Sequence, residues 1–423
     1  MSAGELAALA ERLIAQARAW GAEQSEVWIQ ESTQLSTTVR FGQVETLTEA
    51  TSRSLALRVF VGQRVARASS SDLSWETLEA LTRGAIARAR LASEDAFAGL
   101  PDDSLPYAAA ESLALYDPEL KGVGAQEAIA QARETERIGL GVDPRVKNSS
   151  GASFGVSHGA VWGANSKGFR GWFRHSGASL SVQLLGQGDG DAAQVADFWY
   201  TAARTRSRLE PPEQVARVAV ERVRRHFGAR KIATQEVPVV LEPLVAAELL
   251  ADIFGAVTGE SVYLKQSFLA EARGERVAST RVTLVDDGLL PGGLGSRPFD
   301  REGTASRRTV VIEAGVLKNF LCSSYSARKL GLPATGNGAG DGEVPSNFYL
   351  LAGEAAPESI LRSLERGLYV TRLMGQGVNL VTGDYSRGAF GLWVERGEIV
   401  HPVHEVTISG NLREMLAGVA EVG

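Results

Sequence analysis

Cysteine is almost missing: Cys322 is the only one in 423 residues, so no intrachain disulfide can form and a disulfide framework plays no part in the fold. A lone cysteine suits a reducing compartment better than a secreted one, and the cytoplasm is the expected address. Long hydrophobic runs are missing too. No stretch approaches the roughly 18 consecutive apolar residues of a membrane-spanning helix, and the mean hydropathy of -0.06 agrees. The N-terminus places an acid, Glu5, where a secretory signal needs basic residues leading into an apolar core, so no signal is expected. Histidine is scarce at five residues, which restricts imidazole chemistry to a few places. Positive charge is not in excess: the net charge of -6 argues against a polyanion-binding surface over the whole molecule.

What is present alternates between helical and strand periodicity. Ser2 with Glu5 forms a capping-box pattern, and Leu6, Leu9, Leu13, Ile14 and Ala17 share a helical face up to Gly21. From Ser25 the period becomes two: Val27 and Ile29, then Val39 and Phe41, then Leu55 to Val61, predicting antiparallel strands with one wet face. A second helix is expected over 72–92. Residues 93–118, with Asp102, Asp103 and three prolines, read as a linker or surface excursion. A helix near 125–138, glycine- and aromatic-rich strands over 146–185, and a helix over 211–228 make a second sheet-bearing module. A third begins at the apolar strand 237–241, continues with a helix over 243–257, and then runs through short strands and glycine turns to a helix near 411–419. No fixed-period internal repeat is visible. The expected class is α+β, with antiparallel sheets flanked by helices in the N-terminal part and a mostly β C-terminal module. Expected segments are 1–100, 119–230 and 236–423.

One local basic face stands out. Between Arg204 and Lys231 there are nine Lys or Arg against three Glu, including Arg222, Arg224 and Arg225, interleaved with Val215, Val218 and Val223 at helical spacing. It reads either as a solvated helix face or as a surface for nucleic acid.

The most distinctive residues lie in the last third: Leu294 to Gly303, Tyr325 to Gly331, Gly375-Gln-Gly-Val-Asn379, and Thr382-Gly-Asp-Tyr-Ser-Arg-Gly388. With Gly391-Leu-Trp-Val-Glu395, Ala164 to Phe169 and Phe198-Trp-Tyr200 they resemble the TldD/PmbA family over nearly the whole chain. One branch of that family is similar to a zinc peptidase with His-Glu-x-x-x-His on a helix. Here residues 242–256 carry Glu248 and Asp252 but no histidine, so the resemblance is to the non-metal TldE (PmbA) branch. That resemblance implies no catalytic residue, metal or other cofactor in this chain. It implies a TldD-like zinc peptidase subunit as partner and unfolded or leader peptides as substrates; for the isolated chain, monomer and homodimer both stay open. Gly375, Gly377, Asn379, Gly383, Asp384, Tyr385, Ser386, Arg387 and Gly388 are candidates for a substrate- or partner-facing wall, or for residues that only shape tight turns.

The same sequence offers rival chemistry. Glu248 and Asp252 at i, i+4 read as a solvated helical face. His401, His404 and Glu405 form the only histidine cluster, but on a strand i and i+3 point to opposite faces, and only a bulge would let one metal reach both. Ser326-x-x-Lys329 matches a serine–lysine hydrolase pattern without its companion motifs, and Lys329 is expected near a helix end stopped by Gly331. Gly336 to Gly342 reads as a mobile surface loop rather than a phosphate cradle. The family's label as a modulator of DNA gyrase would fit a nucleic-acid-associated regulator, which the overall acidity opposes. Neither membrane nor nucleic acid is an expected partner.

Overall fold

The computed structural model describes residues 3–102, 106–190 and 194–423. The Ser2 cap and Asp103 lie outside them. Helix α1 (Ala3–Ala19) precedes β1 (Gln24–Arg40), β2 (Gln43–Val61), β3 (Arg64–Ser70) and α2 (Trp75–Leu91). The order then recurs: α3 (Ala125–Val142), β4 (Asn148–Asn165), β5 (Arg170–Gly186), β6 (Val195–Ala203) and α4 (Pro212–Arg224). All six strands form one sheet in the order β3-β2-β1-β4-β5-β6, with β1 and β4 antiparallel at the seam. The two expected sheets are therefore one, built from two copies of a helix–three-strand–helix unit related by a local two-fold of topology. Sequence showed no repeat because the copies share element order rather than residues.

Period-two patterning sets the two faces of this sheet. Val27, Ile29, Leu55, Leu57 and Val59 pack under α1 and α2, while Leu35, Val39, Phe154, Leu180 and Leu184 pack under α3 and α4. All four helices thus cover one face. The opposite face, expected to be wet, is covered at its centre by the C-terminal module: Phe299 joins Phe169, Phe173, Leu113 and Leu115 in a cluster against Trp28. It stays open toward the β1–β2 hairpin, where residues 43–52 are exposed, and over β5 and β6, where Ser179, Gln183, Phe198 and Tyr200 are exposed.

The described residues of 93–118 do not form a free linker. Leu100, Leu113 and Leu115 are buried, Tyr325 donates its hydroxyl to Asp95 at 2.6 Å, and Arg328 donates to the carbonyls of Phe97 (2.8 Å) and Gly99 (2.9 Å). The segment straps the sheet to the C-terminal module.

That module comprises β7 (Val239–Leu241), α5 (Pro243–Val257), α6 (Gly259–Tyr263), β8 (Leu284–Asp287), β9 (Arg308–Glu313), β10 (Val316–Leu317), α7 (Ser324–Leu330) and β11 (Phe348–Leu350). It continues through α8 (Pro357–Arg362), β12 (Arg366–Met374), β13 (Val378–Asn379), β14 (Asp384–Glu395), β15 (Glu398–Asn411) and α9 (Leu412–Ala417). One sheet runs β10-β9-β8-β11. In the other, β14 is central: β12 and β13 pair along one edge, β15 along the other, and β7 adds to β12 as the single parallel pair. No helix among the described residues is long and apolar enough to cross a membrane.

Candidate functional site

The C-terminal motif glycines make β14 fold back on β13. Gly383 adopts φ +82°, where a side chain would be strained, its N–H donates to Asn379 O at 2.7 Å, and its carbonyl accepts from Leu412 N at 2.7 Å. Asn379 closes the turn by accepting from Val381 N through its side chain at 3.0 Å, and Thr382 donates its hydroxyl to Asp384 at 2.6 Å. Gly377 admits the backbone of Ser386: a Cβ there would lie 1.7 Å from Ser386 O, while Ser386 N donates to Gly377 O at 2.7 Å. Gly375 has φ +73° in open space, and Gly388 packs against Met374.

Alternation along β14 then sorts the side chains. Asp384 and Ser386 are exposed, whereas Tyr385 is buried and Arg387 reaches α5, placing its Nη2 2.7 Å from Glu248 and its Nε 3.1 Å from Gly375 O. One turn along α5, Asp252 Oδ2 is buried with no hydrogen-bond partner among the described residues. Burial raises the Asp252 carboxyl above its ordinary value, opposed by Arg387 and reinforced by Glu248. Burial likewise raises the Tyr385 phenol. The structure therefore gathers Tyr385 and Arg387 with Glu248 and Asp252, and leaves the remaining candidates as turn formers or solvent-facing groups. The α5 carboxylates are not a plain solvated face: the strand opposite supplies their cation.

The rival constellations come apart. Ser326 is buried and donates to Glu343 at 2.5 Å, while the Lys329 ammonium lies 4.4 Å from the Phe97 ring centroid and 5.4 Å from that of Tyr325. No serine–lysine couple forms; the helix α7 does end at Gly331 in a left-handed cap, as its sequence predicts. The His401–Glu405 strand does contain a bulge, with Glu405 at φ +54°. Its groups have nearer partners: His401 Nδ1 lies 3.0 Å from Pro402 O, and Glu405 is paired with Lys231 and His404.

The three arginines singled out in the basic stretch are paired in place. Arg222, fully packed on α4, meets Asp197 at 3.2 Å and Glu242 at 2.9 Å; Arg225 meets Glu242 at 2.9 Å and Arg224 meets Asp143 at 3.0 Å. These pairs leave no free cationic surface at the three arginines, while Glu213, Arg217, Glu221 and Arg224 give α4 the solvated outer face its sequence predicts.

The Gly336 to Gly342 segment also departs from its expected mobility. Gly336, Asn337 and Gly338 are buried, Asn337 donates to Asp286 at 2.7 Å, and Gly338 N donates to Asp300 at 2.8 Å. Sequence reading missed what this loop closes: a cavity against the helix-free sheet face, where Glu26, Arg58, Asp300 and Glu302 are buried together. Burial and the neighbouring Glu302 carboxylate push Asp300 up to about 7, against three backbone N–H donors.

Comparison with known proteins places this architecture. Profiles of the PmbA/TldA metallopeptidase domain 1, central domain and C-terminal domain match residues 25–89, 118–227 and 234–423 in that order. Metalloprotease PmbA of Escherichia coli O157:H7 is 37% identical over 400 residues, covering 94% of this chain and 87% of its own length. The crystal structure of a proposed modulator of DNA gyrase from Bacteroides thetaiotaomicron superimposes with a TM-score of 0.92 at 28% identity, covering 100% of this chain and 94% of that one. TldE from Thermococcus kodakarensis shares the fold with a TM-score of 0.89 at 23% identity, over 98% of this chain and 94% of its own. The chain belongs to the PmbA/TldD metallopeptidase family.

Proposed function

We propose that this chain is the metal-free subunit of a cytoplasmic two-component peptidase, shaping a chamber for unfolded or leader peptides while a TldD-like partner holds zinc and cleaves. Helix α5 carries the reading. In the zinc-bearing branch this helix would present His-Glu-x-x-x-His; here it has no histidine, and an arginine from β14 stands 2.7 Å from its Glu248. Two carboxylates beside a guanidinium do not fit zinc, and no step is assigned to a metal in this chain. On this reading the name metalloprotease, carried by the PmbA relative, describes the complex.

The β2 edge supports a peptide-facing role. β3 pairs only with residues 55–61, so residues 43–54 offer an open strand edge, to which an extended peptide can add by main-chain hydrogen bonds without strict sequence choice. The Gly383 to Gly388 turn supplies a second wall for substrate or partner, and an isolated chain would pair with a second copy. Nothing favours the nucleic-acid reading, because the arginines that suggested it are bonded to Asp143, Asp197 and Glu242.

The test is metal content and unfolded-peptide hydrolysis of the purified chain, alone and mixed with a family member bearing His-Glu-x-x-x-His. The expected result is no zinc and no cleavage alone, with chelator-sensitive cleavage in the mixture above that of the partner by itself. Zinc-dependent cleavage by the chain alone, or a mixture no more active than the partner, would overturn the proposal.

A further inference from the structure

Between the helix-free face of the six-stranded sheet and the loops at 294–301 and 338–344 lies a cavity of about 780 Å³. Four polar atoms of its lining residues are buried with no hydrogen-bond partner among the described residues: Glu26 Oε2, Trp28 Nε1, Arg58 Nη2 and Arg58 Nε, the last in ion-pair contact with Glu26 Oε1. Glu26 and Arg58 are more than nine-tenths buried, at 4% and 8% exposure. They face each other across β1 and β2, with Arg58 Nε 2.8 Å from Glu26 Oε1 and Arg58 Nη1 3.7 Å from Glu302 Oε1, which leaves Arg58 Nη2 and Glu26 Oε2 without a partner among the described residues. Buried polar groups of this kind are rare in folded proteins and point to a partner supplied from outside.

The surrounding chemistry says what that partner is. Five arginines line the cavity against two carboxylates, Glu26 and Asp300. Arg204 and Arg297 direct their guanidinium groups to backbone carbonyls, including Ser176 O at 3.1 Å and Pro345 O at 3.1 Å, and neither has a carboxylate partner among the described residues. Uncompensated positive charge in a partly enclosed site favours an anion. Beside it the wall is aromatic: Phe299 stacks edge-on to Phe173 at 5.3 Å and lies 6.0 Å from Trp28.

We propose that this cavity binds the carboxy-terminal end of a peptide: the carboxylate accepts from Arg58 Nη2 and Trp28 Nε1, the last amide N–H donates to Glu26 Oε2, and an apolar terminal side chain rests on the aromatic wall. The carboxylate follows from the charges and unpaired donors; the choice of a peptide over a free acid rests on the peptidase reading.

Isothermal titration calorimetry of the full chain with Ala-Ala-Phe, its C-terminal amide and 3-phenylpropanoate tests it. The free-acid tripeptide should bind at least about tenfold more tightly than the amide, the factor expected for one hydrogen bond to a charged group. Trp28→Phe, which keeps a ring and removes the donor, should weaken the free acid about tenfold. The double variant E26Q/R58Q keeps a matched polar pair and should abolish the preference for acid over amide; if it does not fold, Trp28→Phe still decides. Equal binding of acid and amide, or no binding of either at millimolar concentration, overturns the site. 3-Phenylpropanoate, which has the carboxylate and ring but no amide N–H, binding as tightly as the tripeptide overturns the peptide assignment and gives the site to free carboxylic acids. Because the chain is titrated alone, these outcomes do not depend on whether it assists a zinc peptidase.

Discussion

Replacing Arg222 with methionine separates the reading of α4 as a structural joint from its reading as a charged surface. The Arg222 side chain is 5% exposed and holds three groups at once: Asp197 of β6 at 3.2 Å, Glu242 ahead of α5 at 2.9 Å, and the Thr371 carbonyl of β12 at 3.3 Å. The first belongs to the six-stranded sheet and the other two to the C-terminal module, so this guanidinium bolts one to the other. Methionine fills most of the volume but takes from Asp197, whose side chain is fully buried, its ion-paired guanidinium, leaving it His226 at 3.6 Å and the charge of Arg372. Glu242 keeps Arg225. Breaking a buried pair from one side costs about 3–5 kcal/mol. At about 2–4 °C per kcal/mol for a unit of 150–250 residues, the melting temperature should fall by roughly 6 to 20 °C. Differential scanning calorimetry should also show the transition broadening or splitting as the two parts uncouple. Removing the stranded charge, in R222M/D197N, should recover at least half of the loss. A drop under about 2 °C, or no recovery in the double variant, would refute the buried-joint argument. Salt-sensitive DNA binding that disappears in Arg222→Met at an unchanged melting temperature would refute it from the other side.

Two further outcomes follow from the same geometry. Burial holds His226 below its ordinary value of 6.5, while His226 and Arg222 outweigh burial and hold Asp197 below 3.8. Both groups therefore bind fewer protons folded than unfolded, so the stability they contribute is present at neutral pH and is lost as pH falls, first below 6.5 and then below 3.8; His226→Asn should flatten the upper limb of a melting-temperature profile and leave the lower one. Gly377→Ala drives a Cβ into the Ser386 carbonyl and should cost about 1–3 kcal/mol in chemical denaturation, against less than about 1 kcal/mol for Gly388→Ala, whose Cβ makes only an ordinary contact with Met374 at 3.6 Å. Equal costs would show that the β13–β14 turn is looser than described.

Much of the local structure was legible. The apolar run after Pro243 predicts α5 with both ends correct, because its proline start and residue spacing are local signals, and Gly331 marks the end of α7 for the same reason. The turn chemistry of Gly383 to Gly388 was readable as tight turns, but not the use of Tyr385 and Arg387 against α5. That contact depends on a helix more than 130 residues earlier in the chain, which no local pattern encodes. The pairing of β1 with β4 was equally hidden: alternation says that a strand has two faces, not which strand lies beside it.

The cavity shows why the polar face misled. Glu26, Trp28 and Arg58 alternate with buried apolar residues just as solvent-facing groups do, and nothing within β1 or β2 distinguishes them from a wet surface. The C-terminal module changes their meaning by bringing Glu302 to 3.7 Å from Arg58 and Phe299 to 6.0 Å from Trp28. Glycine in the loop above has the same ambiguity. A run such as Gly336 to Gly342 fits either a chain free to move or a chain too crowded for side chains. Here the first half is crowded: a Cβ on Gly338 would sit 2.6 Å from the Glu302 carboxylate, and one on Gly336 2.5 Å from Ala305 O. What separates the two cases is the neighbouring Asn337, whose buried amide needs acceptors and finds them in Asp286 and the Val344 carbonyl. A polar side chain of fixed hydrogen-bonding demand inside a glycine run is thus the better sign of a built loop than the glycines themselves.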